Sequence, residues 1–212
     1  MARRSSRVDG RALATSRSVR SLKMRYGGTP PGQPPWTAAF LDDAREWARG
    51  RSWIPRALLL VVFALLQLLH IHFFSGITLA FHEMGHLAFA WAPQFIMVLM
   101  GSVFQVGVPL LVIVIFYRQP DYFGMSIGGI WLAYSVWELS DYVGDARAQD
   151  LPLVGFASQE DLTHDWHYLL GKLHMLPADH FFAFMLKVLS LGAGAVSVAF
   201  AVWLMTRMSS RA

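Results

Sequence analysis

His82 and His86 stand four residues apart in Phe81-His82-Glu83-Met84-Gly85-His86, inside a stretch otherwise apolar enough to lie in a bilayer. On a helix, four residues turn the chain by about 400°, so the two imidazoles come within about 40° of each other on one face. Two ring nitrogens so placed can grip one metal ion. The Glu83 carboxylate, on broadly the same side, is placed to take a proton from water beside that ion. The chemistry such a trio suits is hydrolysis. Ionisable side chains are costly in hydrocarbon, so three of them in an apolar run mark a functional site.

A catalytic zinc needs a third protein ligand and one open position. The chain has no cysteine, so every ligand must be nitrogen or oxygen. His164, in His164-Asp165-Trp166, is the preferred third ligand beside His82 and His86. Asp165, or a helix carboxylate, would then orient a ligand from behind, since zinc-bound imidazoles usually pass their other N–H to an acceptor. Glu138, Asp141 and Asp145 are spaced three and four apart and share a helix face, so Asp141 or Asp145 is an alternative ligand. Gln105, polar in an apolar segment, is a candidate to hydrogen-bond a substrate backbone. Its other reading is a helix-to-helix hydrogen bond.

The elements that must position these groups follow from composition. The 212 residues are 55% hydrophobic and 15% charged, with a mean hydropathy of +0.40. That predicts an all-α, polytopic membrane helix bundle of about five to six segments over residues 53–212. The apolar runs are 57–74, 76–92 with the histidine pair, 97–117 broken by Pro109, 124–143, and 179–206. The tract from Gly101 to Gly107 reads as a loop or re-entrant hairpin lining a cavity. Small residues in Gly124-x-x-x-Gly128 and Ser190-x-x-x-Gly194 predict close helix approach.

Charge orients the bundle. Of 18 Lys and Arg residues, 12 lie between Arg3 and Arg56. The positive-inside rule then makes the N-terminus cytoplasmic. Residues 1–35, rich in Arg and Ser and then in Pro and Gly, predict a disordered basic tail with no cleaved signal. Residues 36–52 fit an amphipathic interfacial helix. The lipid bilayer is the expected partner. Nucleic acid is not, because the arginines flank a membrane domain with no aromatic stacking module. Counting spans from a cytoplasmic N-terminus puts Asp141, Asp145 and the polar loop carrying His164 on the same side as the histidine pair.

The His-Glu-Met-Gly-His motif, Met100-Gly101-Ser102-Val103-Phe104-Gln105 with Pro109, Tyr142-Val143-Gly144-Asp145-Ala146 and His164-Asp165-Trp166 together resemble a group of bacterial membrane proteins related to the site-2 zinc metalloproteases. The resemblance covers residues 76–170. It implies a multi-pass protein of the bacterial inner membrane, with Zn2+ on His82 and His86, Glu83 as general base, and hydrolysis of membrane-protein or peptide substrates. Site-2 proteases take their third ligand from an aspartate in an Asn-Pro-Asp-Gly or Leu-Asp-Gly motif of a later membrane helix. This chain has neither motif. The alternatives are a membrane metal carrier or sensor, and an inactive regulatory relative that keeps the fold.

Overall fold

Among the described residues every regular element is helical, as the composition predicts. The computed structural model describes residues 36–68, 73–151 and 164–209. The predicted disordered tail, 1–35, lies outside them. Among the described residues there are seven α-helices: α1 (Trp36–Ala48), α2 (Ile54–Leu68), α3 (Ser75–Ala88), α4 (Gln94–Arg118), α5 (Tyr122–Gly144), α6 (Asp165–Lys172) and α7 (Asp179–Ser209). A 3-10 turn, Leu176–Ala178, leads into α7. The chain divides into two units, Met1–Glu46 and Trp47–Ala212. In the first, the start of α1 exposes Trp36 and pairs Arg45 with Asp42 at 2.6 Å.

In the second unit, α5 is the central helix, flanked by α4 and α7. Its N-terminus is capped by Asp121, whose carboxylate accepts from the Gly124 N–H at 3.0 Å. Small residues then let the neighbours close in, as the two small-residue motifs predict. A Cβ on Gly124 would lie 2.9 Å from the Phe116 ring, and one on Gly128 the same distance from Ile113. On the opposite side the Ser190 hydroxyl donates to the Ala133 carbonyl at 2.6 Å, and a Cβ on Gly194 would meet that of Ala133 at 3.4 Å.

Helix α3 packs on α4 with backbones in contact. A Cβ on Gly85 would lie 2.7 Å from the Met100 carbonyl carbon and 3.0 Å from the Gly101 Cα. The glycine inside the His-Glu-Met-Gly-His motif therefore seats the whole helix. Helix α4 is continuous from Gln94 to Arg118 with Pro109 inside it, so the expected loop or hairpin at 101–107 is corrected. A continuous helix keeps backbone groups paired in an apolar setting, and Gly101 serves packing, not a turn.

Among the described residues two helical segments are long and apolar enough to cross a bilayer: α4, and Leu176–Met208, which includes α7 up to Met208. Little of either apolar stretch is buried, 28% in α4 and 17% in the second. Helices α2 and α3, at 15 and 14 residues, rise about 21–23 Å, short of a hydrocarbon core of about 30 Å. Helix α5 has the length, with 23 residues, but spends positions on Ser126, Ser135 and Ser140, all buried against its neighbours.

Candidate metal centre

The helical spacing of His82 and His86 brings the rings to 4.7 Å between centroids, edge to face. A third group completes the cluster. Asp165, the first residue of α6, places Oδ2 2.9 Å from His82 Nε2 and 3.1 Å from His86 Nε2. One donor atom from each residue lies within 4.8 Å of the others. Burial pushes the Asp165 carboxyl up, but the His82 and His86 imidazoles, when they carry protons on Nε2, outweigh it and hold it below its ordinary value.

Which ring nitrogens face the centre is fixed from behind. The Gln105 amide lies between His82 Nδ1, 2.9 Å away, and the Ser135 carbonyl, 3.1 Å away. A carbonyl only accepts, so the amide nitrogen must face Ser135 and the amide oxygen must face His82. His82 therefore donates from Nδ1. His86 likewise donates from Nδ1 to the Met97 carbonyl at 3.0 Å. In neutral rings both Nε2 atoms then present lone pairs, and both stand at contact distance from one carboxylate oxygen. Three acceptors share such a space stably only around a cation, either a metal ion or added protons.

The floor under the rings is a missing side chain. A Cβ on Gly101 would lie 2.8 Å from His82 Nε2 and closer still to the His86 ring. Gly101 is seven residues into α4, about 10 Å from its start. Helix α6 is pinned above by Trp166, whose indole N–H donates to the Ser102 hydroxyl at 3.1 Å, and by the Asp165 N–H, which donates to the Tyr142 hydroxyl at 3.0 Å.

The third member of the cluster is Asp165, one residue beyond the expected His164. His164 does not join the pair. Its Nδ1 accepts from the His167 N–H at 3.2 Å, capping α6, and its Nε2 points to Asp145 Oδ2 at 3.3 Å. The ring packs on Tyr142 with centroids 4.3 Å apart. Burial, opposed by the Asp145 carboxylate, keeps its pKa below the ordinary imidazole value, so it is neutral. Because successive residues at a helix start point in different directions, the cap turns His164 outward and Asp165 inward. Asp145 faces His164 and accepts from the Asp150 and Leu151 N–H groups; Asp141 pairs with Lys187 at 2.9 Å. Neither turns to the histidine pair. Gln105 is buried behind His82, its amide committed on both sides, instead of standing beside a substrate.

Glu83 is half-buried, its charge felt at His86 and Tyr142, and among the described residues it forms no hydrogen bond or ion pair. Tyr142 carries no assigned role in the sequence, and Gly101 reads there as part of a loop; the only signal for Tyr142 is its position one helical turn beyond Glu138.

Two imidazoles and a carboxylate fit a divalent ion such as zinc with one position left over. Ligand distances of about 2.0–2.2 Å in a tetrahedron give edges of about 3.3–3.5 Å. The 2.9 and 3.1 Å separations fall short of that by a margin that carboxylate rotation can supply. Compared with known protein families, with curated proteins and with solved structures, the chain matches none.

Proposed function

We propose that the protein is a membrane-embedded zinc hydrolase that cleaves peptide bonds of membrane-associated substrates. The observation that carries the reading is the pair of imidazoles whose Nε2 atoms are aimed, by Gln105 and Met97, at the Asp165 carboxylate, with Glu83 the next residue after His82 and its charge felt at His86. Two histidines and an aspartate are also the donor set that the resemblance to site-2 proteases implies. Here the aspartate comes from the start of a short helix instead of a membrane span.

The membrane setting is supported by the outward faces of α4 and α7. A core helix of a water-soluble protein would be mostly buried, whereas Leu110, Leu111, Val114, Leu189, Leu191 and Val196 are exposed. In this reading α2, α3 and α5 complete a five-segment bundle in the bacterial inner membrane. The site lies within it, near the cytoplasmic end.

Zinc, held by His82, His86 and Asp165, would supply Lewis acidity to water and to the scissile carbonyl. The chain's own groups do the rest. Glu83 takes a proton from the attacking water and returns it to the amide nitrogen as the C–N bond breaks. Gln105 and Met97 keep the imidazoles in one tautomer throughout.

The test uses purified protein in liposomes with single-span peptides carrying helix-breaking residues. Wild type should hold about one zinc per chain and generate new N-termini. Glu83→Gln should keep the zinc and lose cleavage. Cleavage by Glu83→Gln at the wild-type rate would remove the hydrolase reading, and wild type without metal would remove the centre itself.

A further inference from the structure

Hydrolysis of an amide places negative charge on the carbonyl oxygen, and a hydrogen-bond donor aimed at that oxygen is commonly the largest single contribution from a protein. Around the centre the donors are nearly all spent. The His82 and His86 Nδ1–H groups are bound to Gln105 and Met97, the Trp166 indole N–H to Ser102, and the Asp165 N–H to Tyr142. The Tyr142 hydroxyl differs. Its oxygen accepts the Asp165 N–H at 3.0 Å, and among the described residues no acceptor takes its proton.

Its placement is fixed by more than that bond. The phenol ring is wedged between His82, edge-on at 6.0 Å, and His164, at 4.3 Å. His164 is itself locked by the His167 N–H and Asp145. The hydroxyl is therefore held at the backbone of the residue whose carboxylate meets both histidines, with its ring 6.0 Å from that of His82, and it feels the charges of Asp165 and Glu83. A phenol oxygen that already accepts an N–H bond has its own O–H polarised, which makes it a stronger donor.

We propose that Tyr142 is a catalytic residue whose O–H donates to the substrate carbonyl oxygen as it becomes an oxyanion, opposite the proton transfer by Glu83. The proposal rests on the hydrolase reading. It also gives His164 a role, as the buried wedge that holds the phenol in place.

The test measures binding as well as turnover. Cobalt(II) replaces zinc so that its visible absorption reports ligands, and two probes are titrated: phenylphosphonate, which offers anionic oxygens, and thiophenol, which binds through sulfur and offers none. Tyr142→Phe keeps the ring and its packing. It should bind cobalt as wild type does, bind thiophenol unchanged, and lose about tenfold or more in phenylphosphonate affinity, the loss expected for a hydrogen bond to a charged group. Peptide cleavage should fall about 10²–10³-fold in kcat with little change in KM. Weaker cobalt binding by Tyr142→Phe, or equal loss of both probes, would mean that the hydroxyl only holds Asp165, and would overturn the proposal. So would unchanged phenylphosphonate binding, or wild type that takes cobalt but not phenylphosphonate. Wild type that takes no cobalt would instead fail the hydrolase reading, and this proposal with it.

Discussion

Replacing Gln105 with leucine removes the acceptor behind His82 while nearly conserving volume. His82 then has a buried Nδ1–H with no partner, since Gln105 Oε1 is the acceptor it meets at 2.9 Å in a site where both side chains are buried. Leaving a buried donor unpaired costs about 1–3 kcal/mol, and the ring is free to flip or to exchange tautomers. Removing the partner behind a zinc-bound imidazole commonly weakens metal binding about 10–100-fold. Those factors correspond to about 1.4–2.7 kcal/mol, so the two routes agree. The assay is competition for zinc with a chromophoric chelator in detergent, with circular dichroism to check that the helices persist. Gln105→Glu keeps an acceptor toward His82, a common arrangement behind a zinc-bound imidazole, but sets its second carboxylate oxygen against the Ser135 carbonyl, so it should recover only part of the loss. Folded Gln105→Leu that binds zinc within about twofold of wild type would refute the tautomer argument, and with it the reason both Nε2 atoms face the centre.

Other outcomes follow from the same geometry. Asp165→Ala should abolish tight zinc binding, whereas His164→Ala should keep it and lose about 0.5–2 kcal/mol of stability with the cap of α6; chelator competition and thermal melts separate them. Gly101→Ala should displace both imidazoles and weaken zinc binding at a folding cost of about 1–3 kcal/mol, while Gly85→Ala, which drives backbone against backbone, should destabilise more. Protons and zinc compete for the same Nε2 lone pairs, so zinc affinity should fall on acidification, and a flat profile from pH about 5 to 8 would contradict the ligand assignment. In metal-free protein Asp165, held low by its two imidazoles, contributes stability that is present above pH about 3.9 and is lost as pH falls through its lower folded value; Asp165→Asn should remove that acid-limb change in melting temperature.

The histidine pair was legible because helical periodicity alone puts residues four apart on one face. The five apolar runs were legible for a similar reason, and each corresponds to a helix with ends shifted by a few residues. What the sequence could not place was the third ligand. His164 and Asp165 are adjacent, and which of them turns inward depends on His164 serving as the cap of α6, a property of the loop entering that helix. Gln105 was noticed as a polar residue in an apolar segment. Its partner, the Ser135 carbonyl, is a backbone atom one helix away and leaves no mark in the sequence. Gly101 misled for a related reason, since a glycine in an apolar run signals a break as readily as a close contact.

The rings of His82 and His86 are aimed by protein acceptors and seated on Gly101, so their aim does not depend on the ion. Under the proposed function, folding of the chain and acquisition of a metal would then be separate events. The protein would fold first and be loaded afterwards, unlike small zinc domains whose folding waits for the ion. Loading would raise stability only by mass action, by about 4 kcal/mol at a thousandfold excess over Kd. Under the proposed hydrolase reading, metal supply would set how much of the folded protein is active, with a further gain in stability on loading.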